Sequence, residues 1–86
     1  MPVYVVSYDL NRPIQHYEQL WDALKRLDGR PVLLAQWSVR ARGNAEALGN
    51  LLRAYLIDNN DRLLVIDRDS GDWAGWNLSL ILGWTR

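Results

Sequence analysis

The opening run Val3-Tyr4-Val5-Val6-Ser7-Tyr8-Asp9 is β-branched and aromatic, ends in a carboxylate and is followed by the breaker Asn11-Arg12-Pro13. Such a run reads as a central strand that delivers Asp9 to its carboxyl end. The period then changes: Ile14, Tyr17, Leu20, Trp21, Leu24 and Leu27 recur at spacings of three and four, with Gln15, Glu18, Gln19, Asp22, Lys25 and Arg26 between them. This pattern predicts an amphipathic helix, capped by Asn11 with Pro13 in its first turn. Gly29 is expected in the left-handed position past its last turn, and Pro31 stops it.

From Pro31 to Arg40 the chain is β-rich, and its second half alternates, with Trp37 and Val39 on one face and Ser38 and Arg40 on the other. Two short strands meeting near Ala35-Gln36, or one long bent strand, fit this pattern. Arg42-Gly43-Asn44 is a turn and cap, and residues 45–57 predict a second helix with Leu48, Leu51, Leu52, Tyr55 and Leu56 inward. Asp58-Asn59-Asn60-Asp61 reads as a polar turn, and Leu63-Leu64-Val65-Ile66 as a buried strand.

The element order is therefore β-α-β-β-α-β in one domain over residues 1–86. Right-handed crossovers bring the first and last strands together with both helices on one face. The expected fold is α+β and ferredoxin-like, with a four-stranded, mainly antiparallel sheet and a C-terminal extension over residues 72–86. In the tail, Asp67-Arg68-Asp69-Ser70-Gly71-Asp72 is a charged turn and Trp73-Ala74-Gly75-Trp76 is compact and aromatic. A short last helix over residues 77–84, capped by Asn77, is one reading of the tail. A fifth strand pairing with another subunit is the other.

Composition narrows the function classes. The 86 residues are 49% hydrophobic with five tryptophans and no phenylalanine, a globular composition with several large rings to cover. A chain this short buries roughly two-thirds of its unfolded surface, so a second copy would add stability. Ten basic residues balance ten acidic ones, so no global field gathers nucleic acid, and any such binding needs a local patch. The absence of cysteine removes disulfides, thiolate nucleophiles and thiolate metal sites. With neither a signal-like segment nor a long apolar run, the expected protein is cytoplasmic, with no membrane partner.

Val5-Val6-Ser7-Tyr8-Asp9-Leu10, the helix after it, Gln36-Trp37-Ser38-Val39 and Leu63-Leu64-Val65-Ile66 resemble the small second Cas protein of the CRISPR spacer-acquisition complex. The nearer likeness is to its SinR-like relatives, through Ser7-Tyr8-Asp9-Leu10-Asn11, Asn60-Asp61-Arg62-Leu63-Leu64-Val65 and Trp73-Ala74-Gly75-Trp76. The resemblance implies a homodimer of ferredoxin-like subunits in which tail strands extend the partner's sheet and the two Asp9 side chains face each other. Some family members are described as magnesium-dependent nucleases and others as non-catalytic scaffolds that hold DNA. The implied partners are thus RNA or DNA and a CRISPR adaptation protein. The chain departs from the family in lacking a strongly basic surface.

Asp9 is the candidate catalytic and metal-ligating residue: a hard oxygen donor that, doubled by a twofold axis, could hold magnesium and activate water. Its simpler role is to accept backbone N–H groups in the adjoining turn. Tyr8, Ser38, Arg40 and Arg42 are candidate nucleic-acid contacts, against half-buried packing for Tyr8 and a solvated strand face for Ser38. The arginines could equally be solubilising or paired with acids. Trp73 and Trp76 are candidates for the dimer interface, with base stacking as the alternative. His16, alone on a polar helix face, reads as solvated. Asp67, Asp69 and Asp72 lack the glycine and terminal glutamate of a calcium loop.

Overall fold

A computed structural model of the protein describes residues 1–33 and 35–78. Five strands, β1 (Val3–Asp9), β2 (Arg30–Leu33), β3 (Gln36–Arg40), β4 (Arg62–Asp67) and β5 (Trp73–Trp76), form one sheet in the order β2-β3-β1-β4-β5. Every pairing is antiparallel. The helices are α1 (Glu18–Arg26), preceded by a 3-10 turn (Ile14–Tyr17), and α2 (Ala45–Arg53). The fold is α+β, with β1 in the centre of the sheet as its apolar sequence requires. Among the described residues no helix is long and apolar enough to cross a membrane.

The fifth strand corrects the four-stranded expectation. The Asp67 carboxylate accepts the N–H groups of Asp69 (2.9 Å) and Ser70 (3.3 Å), and Gly71 takes a positive φ of 76°. The Asp67 N–H then donates to the Asp72 carbonyl at 2.7 Å. The charged turn is thus a hairpin, and it returns Trp73–Trp76 along β4 of the same chain. The last helix expected over residues 77–84 lies outside the described residues apart from its start. There Asn77 has φ 57° and donates its side-chain amide to the carbonyls of Asn59 and Asp61.

Period-two alternation divides the sheet into two faces. Tyr4, Val6 and Tyr8 of β1, Trp37 and Val39 of β3, and Leu63 and Val65 of β4 are buried on one face. Tyr17, Leu20, Ala23 and Leu24 from the α1 segment, and Ala45, Leu48 and Leu52 from α2, complete that core. Each fully buried leucine contributes roughly 1.5–3 kcal/mol. The opposite face carries Val5, Ser7, Asp9, Gln36, Ser38, Leu64, Ile66 and, by its register with Ile66, Trp73. Neither helix covers it.

Helix ends differ from the sequence pattern for local reasons. Asn44 caps α2 as expected, its Oδ1 accepting the Ala47 N–H at 2.8 Å. The α-helix stops at Arg53 instead of residue 57: the Tyr55 and Leu56 N–H groups turn to the Leu52 and Arg53 carbonyls, three residues back, and the Ile57 and Asp58 N–H groups are taken by the Asp61 carboxylate. Asn11 caps nothing: its N–H donates to Asp61 and its side chain to Asp58, and the turn at Ile14 begins without a side-chain cap. The left-handed residue after α1 is Asp28 (φ 54°), not Gly29. Gly29 serves another need, since its N–H reaches the Leu24 carbonyl at 3.0 Å and a Cβ there would strike that same carbonyl group.

Candidate functional site

Asp9 ends β1, exposed, on the face that neither helix covers. Its register partner on β4 is Arg62, and Ser7 precedes it on the same face, with Gln36 donating to the Ser7 hydroxyl at 3.1 Å. Directly opposed residues in an antiparallel pair have Cβ atoms roughly 4.5–5.5 Å apart, so Arg62 starts beside Asp9, but none of the ion pairs among the described residues joins the two. Within one chain Asp9 offers a single hard ligand. Among the described residues, no group of three or more His, Cys, Asp or Glu side chains could hold a metal ion.

The main chain leaving Asp9 is fastened within two residues. Asp61 has no exposed surface, yet its carboxylate accepts four hydrogen bonds. Oδ1 takes the Asn11 N–H (2.8 Å) and the Tyr17 hydroxyl (2.6 Å), while Oδ2 takes the Ile57 (3.1 Å) and Asp58 (3.0 Å) N–H groups. Burial pushes this carboxyl's pKa up more than any single hydrogen bond lowers it, but the donors together bring it below the ordinary value. Tyr17 is raised in turn, by burial and then by its bond to Asp61. Asp58 supplies the outer ring of this knot, accepting from Arg12 Nε (2.9 Å), Asn11 Nδ2 (3.2 Å) and the Asn60 N–H (2.9 Å). The Asn60 N–H is the largest influence holding its pKa low. The loops at the end of β1 and the start of β4 are thereby joined under Asp9.

The other candidates do not converge on Asp9. Tyr8 points to the helix-covered face, 7% exposed, and its hydroxyl accepts the Trp37 indole N–H at 3.0 Å. Ser38 lies on the Asp9 face but opposite Val5, four residues down β1, which places it roughly 13 Å from Asp9 along the strand. Arg40, opposite Val3, is farther still and pairs with Asp28 at 3.8 Å. Arg42 is exposed in the turn before α2. His16 is exposed in the 3-10 turn. Of the acidic loop, Asp67 is occupied by Asp69 and Ser70, and Asp72 accepts the Ala45 N–H at 3.3 Å.

Trp73 and Trp76 fall on opposite sides of the sheet. Trp73 is half-buried in register with Ile66, on the face of Asp9. Trp76 lies on the α2 side, where the Arg53 guanidinium carbon sits 3.4 Å from the centre of its indole ring. Arg53 was not legible as a site residue: it closes an ordinary amphipathic helix, and its aromatic partner lies on a strand that only the hairpin brings alongside. The buried role of Asp61 also escaped the pattern. The signal for it was Tyr17, an apolar-stripe tyrosine whose hydroxyl needs a partner once buried. No family model matches the chain, and no solved structure matches it.

Proposed function

We propose that the protein is a cytoplasmic, homodimeric, Cas-two-like or SinR-like subunit of ferredoxin-like topology that cleaves phosphodiester bonds of RNA or DNA with paired Asp9 side chains. The observation that carries this reading is the exposed carboxylate at the end of the central strand, on the sheet face that neither helix covers. Val5, Leu64, Ile66 and Trp73 supply apolar surface on that same face, which suits a second copy laid against it. Two Asp9 carboxylates and substrate phosphate oxygens would hold a magnesium ion, which supplies charge neutralisation and an activated water. Arg40 and Arg42, exposed toward the other end of β1, would contact the nucleic-acid backbone away from the cleaved bond, Ser38 would line the face between the copies, and a CRISPR adaptation protein is the natural partner.

Arg62 favours a second reading. A cation in register with Asp9 competes with a divalent ion for the carboxylate, and the dimer is then a non-catalytic scaffold or nucleic-acid adaptor. One experiment separates the two. Purified protein is incubated with labelled RNA and DNA, with and without magnesium, beside Asp9→Asn. Cleavage that needs magnesium and vanishes in the variant supports the nuclease, whereas equal activity in the variant, or none in either, removes it.

A further inference from the structure

The sheet edge carries a site that the Asp9 reading does not use. Between α2 and β5 lies an open cleft of about 540 Å³, lined among others by Asn44, Glu46, Asn50, Arg53, Asp72 and Trp76. A second cleft of about 460 Å³, reaching Ile57 and Asn59, adjoins it, and Arg53 and Trp76 line both. Gly49 forms the floor of the first: a Cβ there would sit 3.5 Å from the Ala74 Cβ, so helix and strand approach closely beneath the opening. Trp76 keeps 38% of its surface exposed with a guanidinium stacked on it.

The stacking leaves the charge of Arg53 uncommitted. The three ion pairs among the described residues belong to Arg12, Arg40 and Arg68. A guanidinium fixed over an aromatic ring presents its N–H edge outward at little further entropic cost, the arrangement that takes a phosphate bidentately. With one face of the Trp76 ring under the guanidinium, the outer face of the guanidinium is the planar surface on which a base can stack. Glu46 stands seven residues before Arg53, two helical turns or roughly 10 Å away. With Asp72 it makes the far end of the cleft acidic, with Asn50 between the two ends. A polyanion running along the cleft is repelled there, whereas the N–H donors of a base edge are welcome.

We propose that the α2–β5 cleft binds one nucleotide unit, its base stacked against the Arg53–Trp76 pair and its phosphate on the Arg53 guanidinium. The site lies on the helix-bearing side of the sheet and does not depend on Asp9, so the two readings fail separately. The shared chemistry could be met by a free mononucleotide or by one unit of a single strand.

The test is titration of the ¹⁵N-labelled protein, following the tryptophan indole signals, with that of Trp76 assigned by Trp76→Phe. The probes are adenosine monophosphate, adenosine, and a short 5′-phosphorylated oligodeoxyadenylate. The monophosphate, the oligonucleotide or both should shift the Trp76 indole and the Arg53 Nε–H, and whichever binds identifies the source. Adenosine should bind about tenfold or more weakly than its monophosphate, and Arg53→Gln should erase that difference while keeping a dispersed, folded spectrum. Without magnesium, Asp9→Asn should leave the Trp76 shifts produced by adenosine monophosphate as they are in the wild type. Shifts absent from Trp76 with every probe, or an Arg53→Gln variant that binds unchanged, would show that the pair only pins β5 to α2.

Discussion

Replacing Asp61 with asparagine tests the knot that joins the two loops beneath Asp9. The carboxylate accepts two donors on each oxygen, whereas a carboxamide offers one acceptor oxygen and turns an NH2 group toward the other pair. In either orientation at least one buried backbone N–H faces a donor. Hydrogen bonds to a charged group contribute roughly 1.5–3 kcal/mol each, and losing one pair, offset by relief of the buried charge, gives a cost of about 3 kcal/mol. A domain of this size has a total stability of roughly 4–13 kcal/mol, so the melting temperature should fall by roughly 12–24 °C. Calorimetry and urea titration at neutral pH measure this directly. A fall of under about 4 °C would refute the reasoning, because it would mean that losing one pair of these bonds costs less than about 1 kcal/mol net.

Acid behaviour gives the same knot a second signature. The Asp61 carboxyl is depressed below its ordinary value of 3.8, so its contribution is complete above that value and is lost as pH falls through the folded-state pKa. The stability gap between wild type and Asp61→Asn should therefore be constant from neutral pH down to the ordinary value and narrow below it. Asp58 and Asp67 are also depressed, by the Asn60 and Asp69 N–H groups first, and their acid losses should persist in the variant. A gap that widened in acid would reverse the sign and sink the assignment.

Three further outcomes are expected. Gly29→Ala should destabilise by about 2 kcal/mol, read as a lower urea midpoint at unchanged slope, because its Cβ meets the Leu24 carbonyl, which is backbone and cannot turn aside. Asn44→Ala should cost about 1 kcal/mol through loss of the α2 cap, while Asn44→Asp should be near neutral, both by thermal unfolding. Asp9→Asn should leave the melting temperature within about 2 °C of wild type, as expected for an exposed strand end away from the core, while abolishing any magnesium-dependent cleavage.

Much of the architecture was legible because it rests on periodicity. The alternation of β1, the spacing of four between Leu20 and Leu24 and between Leu48 and Leu52, and the Asn44 cap are local patterns that the structure keeps, whereas Ile14 and Leu51, counted in the same apolar stripes, are exposed. What was illegible depends on contacts far apart in sequence. Asp61 sits in a polar quartet that reads as a solvated turn, and Asn11 and Tyr17, brought in from the segment after β1, join the local Ile57 and Asp58 N–H groups in making it a buried acceptor. The same capture holds the N–H groups past the end of α2 and took Asn11 away from its expected cap. A fifth strand was one of the two readings of the tail, but its pairing with β4 of the same chain was hidden by a turn whose charges suggested solvent, although Asp67 commits its carboxylate to the turn itself. At the candidate site the sequence placed Asp9 at the strand end. Packing was one of the two roles it allowed Tyr8, and Tyr8 is buried, but it did not reveal that Ser38 and Arg40 lie far down the strand or that Arg62 is in register with Asp9.

The central claim, that two copies meet through the sheet face opposite the two helices with their Asp9 side chains paired, has a direct test in a chain without cysteine. Asp9→Cys is the only thiol such a variant would carry, and Ser70→Cys, on the β4–β5 hairpin, is its control. Treated with a short bifunctional thiol reagent at low protein concentration, Asp9→Cys should give a single covalent dimer in high yield while Ser70→Cys stays monomeric. An Asp9→Cys protein that remains monomeric like the control would contradict the paired site, and with it the proposed nuclease.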